Sequence, residues 1–191
     1  MRYPTPMMAA ALIAIFTACS DSGPIQPPQV ESSTAPDLSR SSEVGVRRID
    51  VLDSCDPATF NAVLGAGTCT RSGGIKYSRF IEQLTKHRSI DAWRFAPSTI
   101  EARVGTTLLA TNRGGEVHTF TEVEQFGGGI VPLLNQLSGN PVVAPECQAL
   151  ESDDFIPPGG SDSDDSVESG TELYQCCIHP WMRTIVHGHG A

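Results

Sequence analysis

The spacing of apolar residues along the chain divides it into four parts. Residues 7–18 form one continuous apolar run, and residues 20–46 show no apolar period. Residues 47–92 carry apolar residues at helical spacing, whereas from residue 93 onward the spacing shifts towards two, which is typical of strands. The pattern predicts a helical segment followed by a β-rich domain.

Two helices are predicted in the third part. The segment DPATFNAVL offers Asp56 as an N-cap residue, has a proline in its first turn and places Phe60, Val63 and Leu64 at helical spacing. The segment KYSRFIEQLTKH gathers apolar side chains on one face. These are Tyr77, Phe80, Ile81 and Leu84. His87, at the end of this helix, is expected to interact with the helix dipole rather than with a metal.

Short strands joined by glycine-containing turns are predicted in the fourth part. The segment STIEARVGTTLLATNRG places Ile100, Ala102 and Val104 on one side of a strand, and after a turn at Gly105 it continues as a strand centred on Leu108. The segments VHTFTEV, TELYQC and RTIVHG alternate in a similar way. Several strands of this kind predict a mainly β fold, a β-sandwich.

The charge of the chain limits its partners. It has 13 basic and 22 acidic residues, and its net charge is −9. This balance argues against nucleic acid and anionic lipid as partners. Many of the acidic residues lie in Glu151–Gly170, which is expected to be a solvated loop. The chain after residue 46, about 145 residues, is long enough for one domain, and we expect a monomer.

The first eighteen residues resemble a bacterial lipoprotein signal peptide. Arg2 precedes the apolar run Met7–Ala18, which is too short to span a bilayer as a helix. The run ends in FTAC at Cys19, and this motif resembles the lipobox, in which the cysteine after the cleavage site carries lipid. The alternative is an ordinary cleaved signal peptide with a cysteine nearby. With Ser20 in the next position, the resemblance implies sorting to the outer membrane.

The segment after Cys19 is predicted to be a flexible linker that reaches to residue 46. It is rich in serine, proline and acidic residues, and it cannot bury enough apolar surface to offset the entropy lost on ordering. The resemblance therefore implies an exported domain that a lipid anchor tethers to a bacterial membrane, at the outer membrane facing the periplasm or at the cell surface. Disulfides persist in such a compartment.

The segment YQCCIHPWM contains the spacing Cys-x-x-His-x-x-Met at Cys176, His179 and Met182. Thiolate, imidazole and thioether groups together suit copper, although zinc sites also use Cys-x-x-His. A trigonal blue-copper site needs a second histidine, with the methionine as a weak axial ligand. His118, in NRGGEVHTFTE, is the candidate. The predicted copper ligands are therefore His118, Cys176, His179 and Met182.

This arrangement resembles the cupredoxin family, and its short His-Pro-x-Met spacing is similar to the plastocyanin and amicyanin branch. The resemblance covers residues 93–191, apart from an insertion at about 127–172, and it implies a Greek-key β-sandwich. Residues 47–92 are left as a small helical N-terminal extension. In this family the second histidine has an exposed edge in an apolar patch, which implies that Pro180 and Trp181 dock a partner.

The cysteines fit the copper assignment. Because neighbouring side chains on a strand point to opposite faces, Cys177 should face away from a metal held by Cys176. The four cysteines that bind neither metal nor lipid are disulfide candidates. They pair most simply as Cys55 with Cys69 and Cys147 with Cys177, but the sequence leaves other pairings open.

The resemblance implies a carrier of single electrons between redox proteins, not an enzyme. No ionisable base, nucleophile or open coordination position is expected beside the site. Two alternatives are a protein that stores or delivers copper and a binding module that holds zinc or no metal. Thr119 departs from the family, because plastocyanin-like members have Asn there. His187 and His189 are expected to be solvated, with a weak second metal site as the alternative.

Overall fold

The computed structural model describes residues 45–71, 73–164 and 166–190, and the fold is mainly β. The helices are Pro57–Leu64 (α1), Tyr77–His87 (α2) and Pro132–Ser138 (α3). The strands are Val46–Leu52 (β1), Arg94–Ala96 (β2), Thr99–Arg103 (β3), Thr107–Asn112 (β4), Thr121–Val123 (β5), Ser161–Asp164 (β6), Gly170–Gln175 (β7) and Arg183–His189 (β8). Within these described ranges, no helix combines the length and apolarity needed to cross a membrane.

The strands form two mixed sheets of four. The order is β2-β1-β4-β6 in the first sheet and β3-β8-β7-β5 in the second. Strand β1 runs parallel to β4 and β3 runs parallel to β8, while the other neighbours are antiparallel. Ile49 and Leu108 from the first sheet and Tyr174 and Val186 from the second belong to one buried core. The two sheets therefore share a single hydrophobic core.

The segment predicted to be a helical extension contains both expected helices and also a strand. Asp56 caps α1, because its side chain accepts a hydrogen bond from the Thr59 N–H at 3.0 Å. The difference from the sequence prediction is β1, which lies inside the first sheet between β2 and β4. Ile49 and Val51 alternate with polar residues and are completely buried. Residues 47–92 therefore supply part of the β-structure, in addition to helices.

Aromatic side chains attach the two helices to the rest of the domain. The ring of Phe60 in α1 lies 5.4 Å from that of Phe80 in α2 and 5.9 Å from that of Trp93. All three side chains are buried. Val63 and Leu64, which share the helical spacing of Phe60, are exposed, since α1 buries only the face that carries Phe60.

The acidic stretch predicted to be a loop contains regular structure. Residues Ser152–Asp154 form a short 3₁₀-helix, and β6 pairs with β4. Strand β6 has no apolar residue, and hydrogen bonds hold it: main-chain pairing with β4, the Thr111–Ser161 hydroxyl pair at 3.0 Å and the bond from the Tyr174 hydroxyl to Asp164 at 2.9 Å. It is also an edge strand, and charged side chains on an edge discourage pairing with other chains.

Candidate metal centre

The structure brings three of the four predicted copper ligands together. One ligand atom from each of His118, Cys176 and His179 lies within 4.8 Å of the other two. The Cys176 sulfur is 3.7 Å from His118 Nδ1 and 3.8 Å from His179 Nδ1. Both imidazoles therefore turn their Nδ1 atoms towards one thiol, although 58 residues separate His118 from Cys176.

The spacing of these donors fits a single metal ion. An ion about 2.3 Å from a sulfur and about 2.0 Å from a nitrogen, with an angle of about 120° between them, requires a separation of about 3.7 Å. The two observed sulfur–nitrogen distances, 3.7 and 3.8 Å, have this value. The donor set, one thiolate and two imidazoles, is the trigonal set of a blue-copper site. The three residues present can therefore hold copper.

The loop between β7 and β8 carries three of the predicted ligands. The Cys176 N–H donates to the Met182 carbonyl at 3.0 Å, and the Met182 N–H donates to the His179 carbonyl at 2.9 Å. These bonds close the loop into a compact turn. The Met182 side chain is completely buried, and its thioether is a soft donor that could help to hold copper, but burial also suits an ordinary core methionine.

Main-chain groups and Thr119 hold the Cys176 loop in position. The N–H groups of Thr119 and His179 point at the Cys176 sulfur, at 3.5 and 3.4 Å. The Thr119 hydroxyl accepts a hydrogen bond from the Cys177 N–H at 2.8 Å, and it accepts another from the Thr121 hydroxyl at 3.0 Å. Thr119 therefore connects the segment after His118 to the Cys176 loop. A hydrogen bond across the site is present although this position has Thr and not Asn.

A disulfide joins the same loop to the insertion. The structure contains the bridges Cys55–Cys69 and Cys147–Cys177, which are the two pairs named above, and Cys176 is free. The Cys177 carbonyl also accepts a hydrogen bond from the Ile130 N–H at 2.7 Å. A Cβ atom at Gly129 would overlap that carbonyl, so only glycine permits this approach. The insertion thus packs directly against the ligand loop at Cys177, the residue next to Cys176.

The charge states of Cys176 and His118 affect metal binding in opposite directions. Burial raises the pKa of the Cys176 thiol, but hydrogen bonds and charge from His118 and His179 outweigh burial, and the pKa lies well below its usual range. Burial lowers the pKa of the His118 imidazole, whereas hydrogen bonds to Asp53 and Cys176 raise it to about 9. Without metal, the sulfur is therefore stabilised as a thiolate, which is the form that binds metal ions, whereas a metal ion has to displace a proton from His118.

Sequence reasoning missed an aspartate that contacts the first histidine. Asp53 Oδ2 lies 2.9 Å from His118 Nε2, and both side chains are buried. The same carboxylate accepts hydrogen bonds from the Gly115 N–H at 2.8 Å and the Glu116 N–H at 3.0 Å. Burial raises the pKa of Asp53, but these hydrogen bonds lower it well below its usual value. A Cβ atom at Gly114 would overlap this carboxylate.

A second missed carboxylate lies near the other histidine. Glu116 Oε2 accepts a hydrogen bond from Trp93 Nε1 at 2.7 Å and is 3.7 Å from His179 Nε2. Glu116 is only 5% exposed, and burial raises its pKa. The expectation that no ionisable group lies beside the site is therefore wrong. Asp53 and Glu116 both lie outside the Cys-x-x-His-x-x-Met motif, far from Cys176 in the sequence, so the motif gives no sign of them.

The surroundings of His179 are more buried than the docking patch expected from the sequence. His179 is 2% exposed and Pro180 is also buried, so neither offers an open surface. Trp181 is partly buried, and its ring lies 5.5 Å from the His179 ring and 6.0 Å from the Phe80 ring of α2. The reason is that α2 packs against Trp181. The sequence prediction places α2 in an extension outside the site.

Among the described residues, the other potential ligands form no second centre of this kind. Asp53, Cys55 and Glu116 lie close together, but the Cys55 sulfur is used in a disulfide. His187 and His189 lie on β8 rather than on a loose tail. They contact Thr171 and Glu101, respectively, and they form no three-residue metal cluster within the part of the chain that the structure describes. His87 is exposed in the last turn of α2.

No protein-family model matches the sequence, and no curated protein matches it. Among solved structures, the chain is similar to a purple cupredoxin from Nitrosopumilus maritimus, at 15% identity and a TM-score of 0.40, covering 74% of this chain and 98% of that one. A mutant fern plastocyanin has 14% identity and a TM-score of 0.39, covering 75% and 100%. A reduced amicyanin mutant has 22% identity and a TM-score of 0.33, covering 52% and 77%. Likeness at this level does not assign the chain to a family.

Proposed function

We propose that this protein is a type 1 (blue) copper protein, with a cupredoxin-like Greek-key sandwich, that carries single electrons between redox proteins. The observation that supports it most directly is the buried cluster of His118, Cys176 and His179, at the spacing of donors around one ion. Met182 lies buried at the end of the same loop. Copper would supply one-electron redox chemistry, and these residues would hold it.

Burial of the ligands favours an electron carrier over an enzyme. His118, Cys176 and Met182 are 0% exposed and His179 is 2% exposed. A substrate that reacts at a metal needs an open coordination position, whereas an electron does not. The hydrogen bonds of Thr119 and the disulfide at Cys177 also fix the loop. Ligands that are fixed in this way need little rearrangement when the metal changes its oxidation state.

Electron exchange requires a route from the buried site to the surface. The Trp181 ring contacts the His179 ring and is partly exposed. It therefore offers such a route, in place of the exposed histidine edge that the family resemblance implied. We place the docking surface for a redox partner around Trp181, and we expect the domain to act as a monomer.

The proposed function is tested by adding Cu(II) to the purified domain. One equivalent should bind and give an intense thiolate-to-copper charge-transfer band together with a reversible one-electron wave. The matched control is Cu(II) addition after alkylation of Cys176 in the unfolded protein with its disulfides intact, followed by refolding; it should give no band. A colourless protein that binds zinc in preference to copper would contradict the proposal and support the binding module.

Replacing Met182 by Leu separates electron transfer from copper storage. The substitution conserves volume, so it should change the free energy of unfolding by less than about 1.5 kcal/mol. Because an axial thioether is a weak ligand, the site should stay blue, and its reduction potential should rise when a sulfur donor is lost. Voltammetry and a copper competition titration check this. A large loss of copper affinity without a reversible wave would instead indicate a storage site.

We also propose that the domain is exported and tethered to a bacterial membrane through lipid on Cys19. The support is the signal-peptide and lipobox resemblance, which lies outside the described residues. A Cys19→Ala variant should be recovered from the soluble fraction of cells in folded form, whereas a Ser20→Ala control should stay with the membrane. Salt-resistant membrane association of Cys19→Ala would contradict the lipid anchor.

A further inference from the structure

Each imidazole of the metal centre meets a buried carboxylate at the nitrogen that faces away from the sulfur. His118 Nδ1 faces Cys176, and its Nε2 faces Asp53 at 2.9 Å. His179 Nδ1 faces Cys176, and its Nε2 faces Glu116 at 3.7 Å. The Asp53 and Glu116 side chains are 1% and 7% exposed. The two contacts have the same arrangement, although the carboxylates come from different parts of the chain.

The surrounding donors identify both groups as hydrogen-bond acceptors. An imidazole that binds metal through Nδ1 carries its proton on Nε2 and donates it. Asp53 also receives the N–H groups of Gly115 and Glu116, and Glu116 also receives the Trp93 indole N–H. Both carboxylates accept from these donors, which is the role of the ionised form, and one oxygen of each lies within 4.8 Å of the other carboxylate. Neither carboxylate has to gain or lose a proton in order to affect the reduction potential.

We propose that Asp53 is a positioning residue that holds the copper-binding imidazole of His118, and that the buried carboxylates of Asp53 and Glu116 together set the site to a low reduction potential; this rests on the proposed copper function. A carboxylate behind a ligating imidazole fixes the ring and makes it a stronger donor. Two buried negative charges also stabilise Cu(II) more than Cu(I), because Cu(II) carries the larger positive charge and water does not screen the interaction. Both effects favour the oxidised state.

Asp53 and Glu116 should affect the metal centre in different ways. Asp53 makes a hydrogen bond of normal length to its histidine and also holds the main chain of residues 115–116, so its replacement should affect both ring position and folding. Glu116 lies 3.7 Å from its histidine, beyond hydrogen-bond distance, so its effect on His179 is mainly electrostatic. Glu116→Gln is therefore the cleaner variant, because it keeps an acceptor for Trp93 and removes only the charge.

The test compares the reduction potentials of the copper-loaded wild type, Glu116→Gln and Asp53→Asn, with Glu122→Gln as the control. Glu122 is exposed on β5, so its replacement removes the same charge from a solvated position. Each buried variant should keep the blue band and shift the Cu(II)/Cu(I) ratio at a fixed potential at least tenfold towards Cu(I). For a one-electron couple this is a rise of about 59 mV. The control should shift the ratio less than twofold.

A second measurement uses the copper-free protein. The His118 ring N–H should exchange slowly in the wild type and in Glu116→Gln, and fast in Asp53→Asn, as observed by nuclear magnetic resonance. A normal blue band with unchanged potentials in both buried variants would overturn this inference alone. Absence of the band in the wild type would overturn the proposed function and this inference together. If Asp53→Asn does not fold, Glu116→Gln still decides the electrostatic part.

Discussion

Replacing Cys176 by Ser should abolish the blue charge-transfer band of the copper-loaded protein completely. The band requires a thiolate bound to copper, and a serine hydroxyl is a harder ligand that keeps its proton at neutral pH. The neighbouring Cys177 offers no substitute thiol, because it is bonded to Cys147. Absorption spectra of the two proteins after addition of one equivalent of Cu(II) check the result.

The neighbouring position gives the matched control for that change. Cys177→Ser is the same substitution one residue later, and it should keep the band because Cys177 does not face the metal centre. It breaks the disulfide to Cys147, so the free energy of unfolding should fall by about 2–5 kcal/mol. A colourless Cys177→Ser protein beside a blue Cys176→Ser protein would reverse the assignment of the ligand.

Replacing Trp93 by Ala should lower the free energy of unfolding by about 3–5 kcal/mol. Trp93 is 1% exposed, and its ring lies 4.9 Å from that of Phe80 and 5.9 Å from that of Phe60. Its removal leaves a cavity under both helices. It also takes away the hydrogen bond to the buried Glu116 carboxylate. Denaturant unfolding of the copper-free protein measures the change without a contribution from metal binding.

An exposed apolar residue provides the comparison for Trp93. Leu133 in α3 is 50% exposed, so Leu133→Ala should change the free energy of unfolding by less than about 0.5 kcal/mol. If Trp93→Ala costs no more than this control, the aromatic cluster does not stabilise the domain in the way that its burial indicates.

The part of the centre that could be predicted from the sequence is the part that is local in the chain. Cys176, His179 and Met182 lie on one loop, and their spacing alone indicates that they act together. His118 could be added because the predicted set lacked a second imidazole. Asp53 could not be predicted, because it lies 65 residues from His118 in the sequence and meets it only through the tertiary fold.

Two parts of the fold were missed for different physical reasons. Strand β1 has the alternating pattern that predicts a strand, with Ile49 and Val51 on either side of Asp50, but the pattern is short and is closely followed by a clear helix. Strand β6 consists of serine and aspartate only, so no hydrophobic pattern could indicate it. Its place depends on main-chain pairing with β4, and residue types do not specify such pairing at an edge.

The central place of β1 decides whether this chain can be divided into separate domains. An accessory segment added beside a finished domain can be trimmed away, but β1 lies between β2 and β4, and the residue after its end supplies the Asp53 carboxylate. A truncated protein that starts at residue 93 would leave the facing edges of β2 and β4 unpaired, and His118 would lose its partner. Residues 47–92 and the metal-binding half are therefore expected to fold, and to need expression, as one unit.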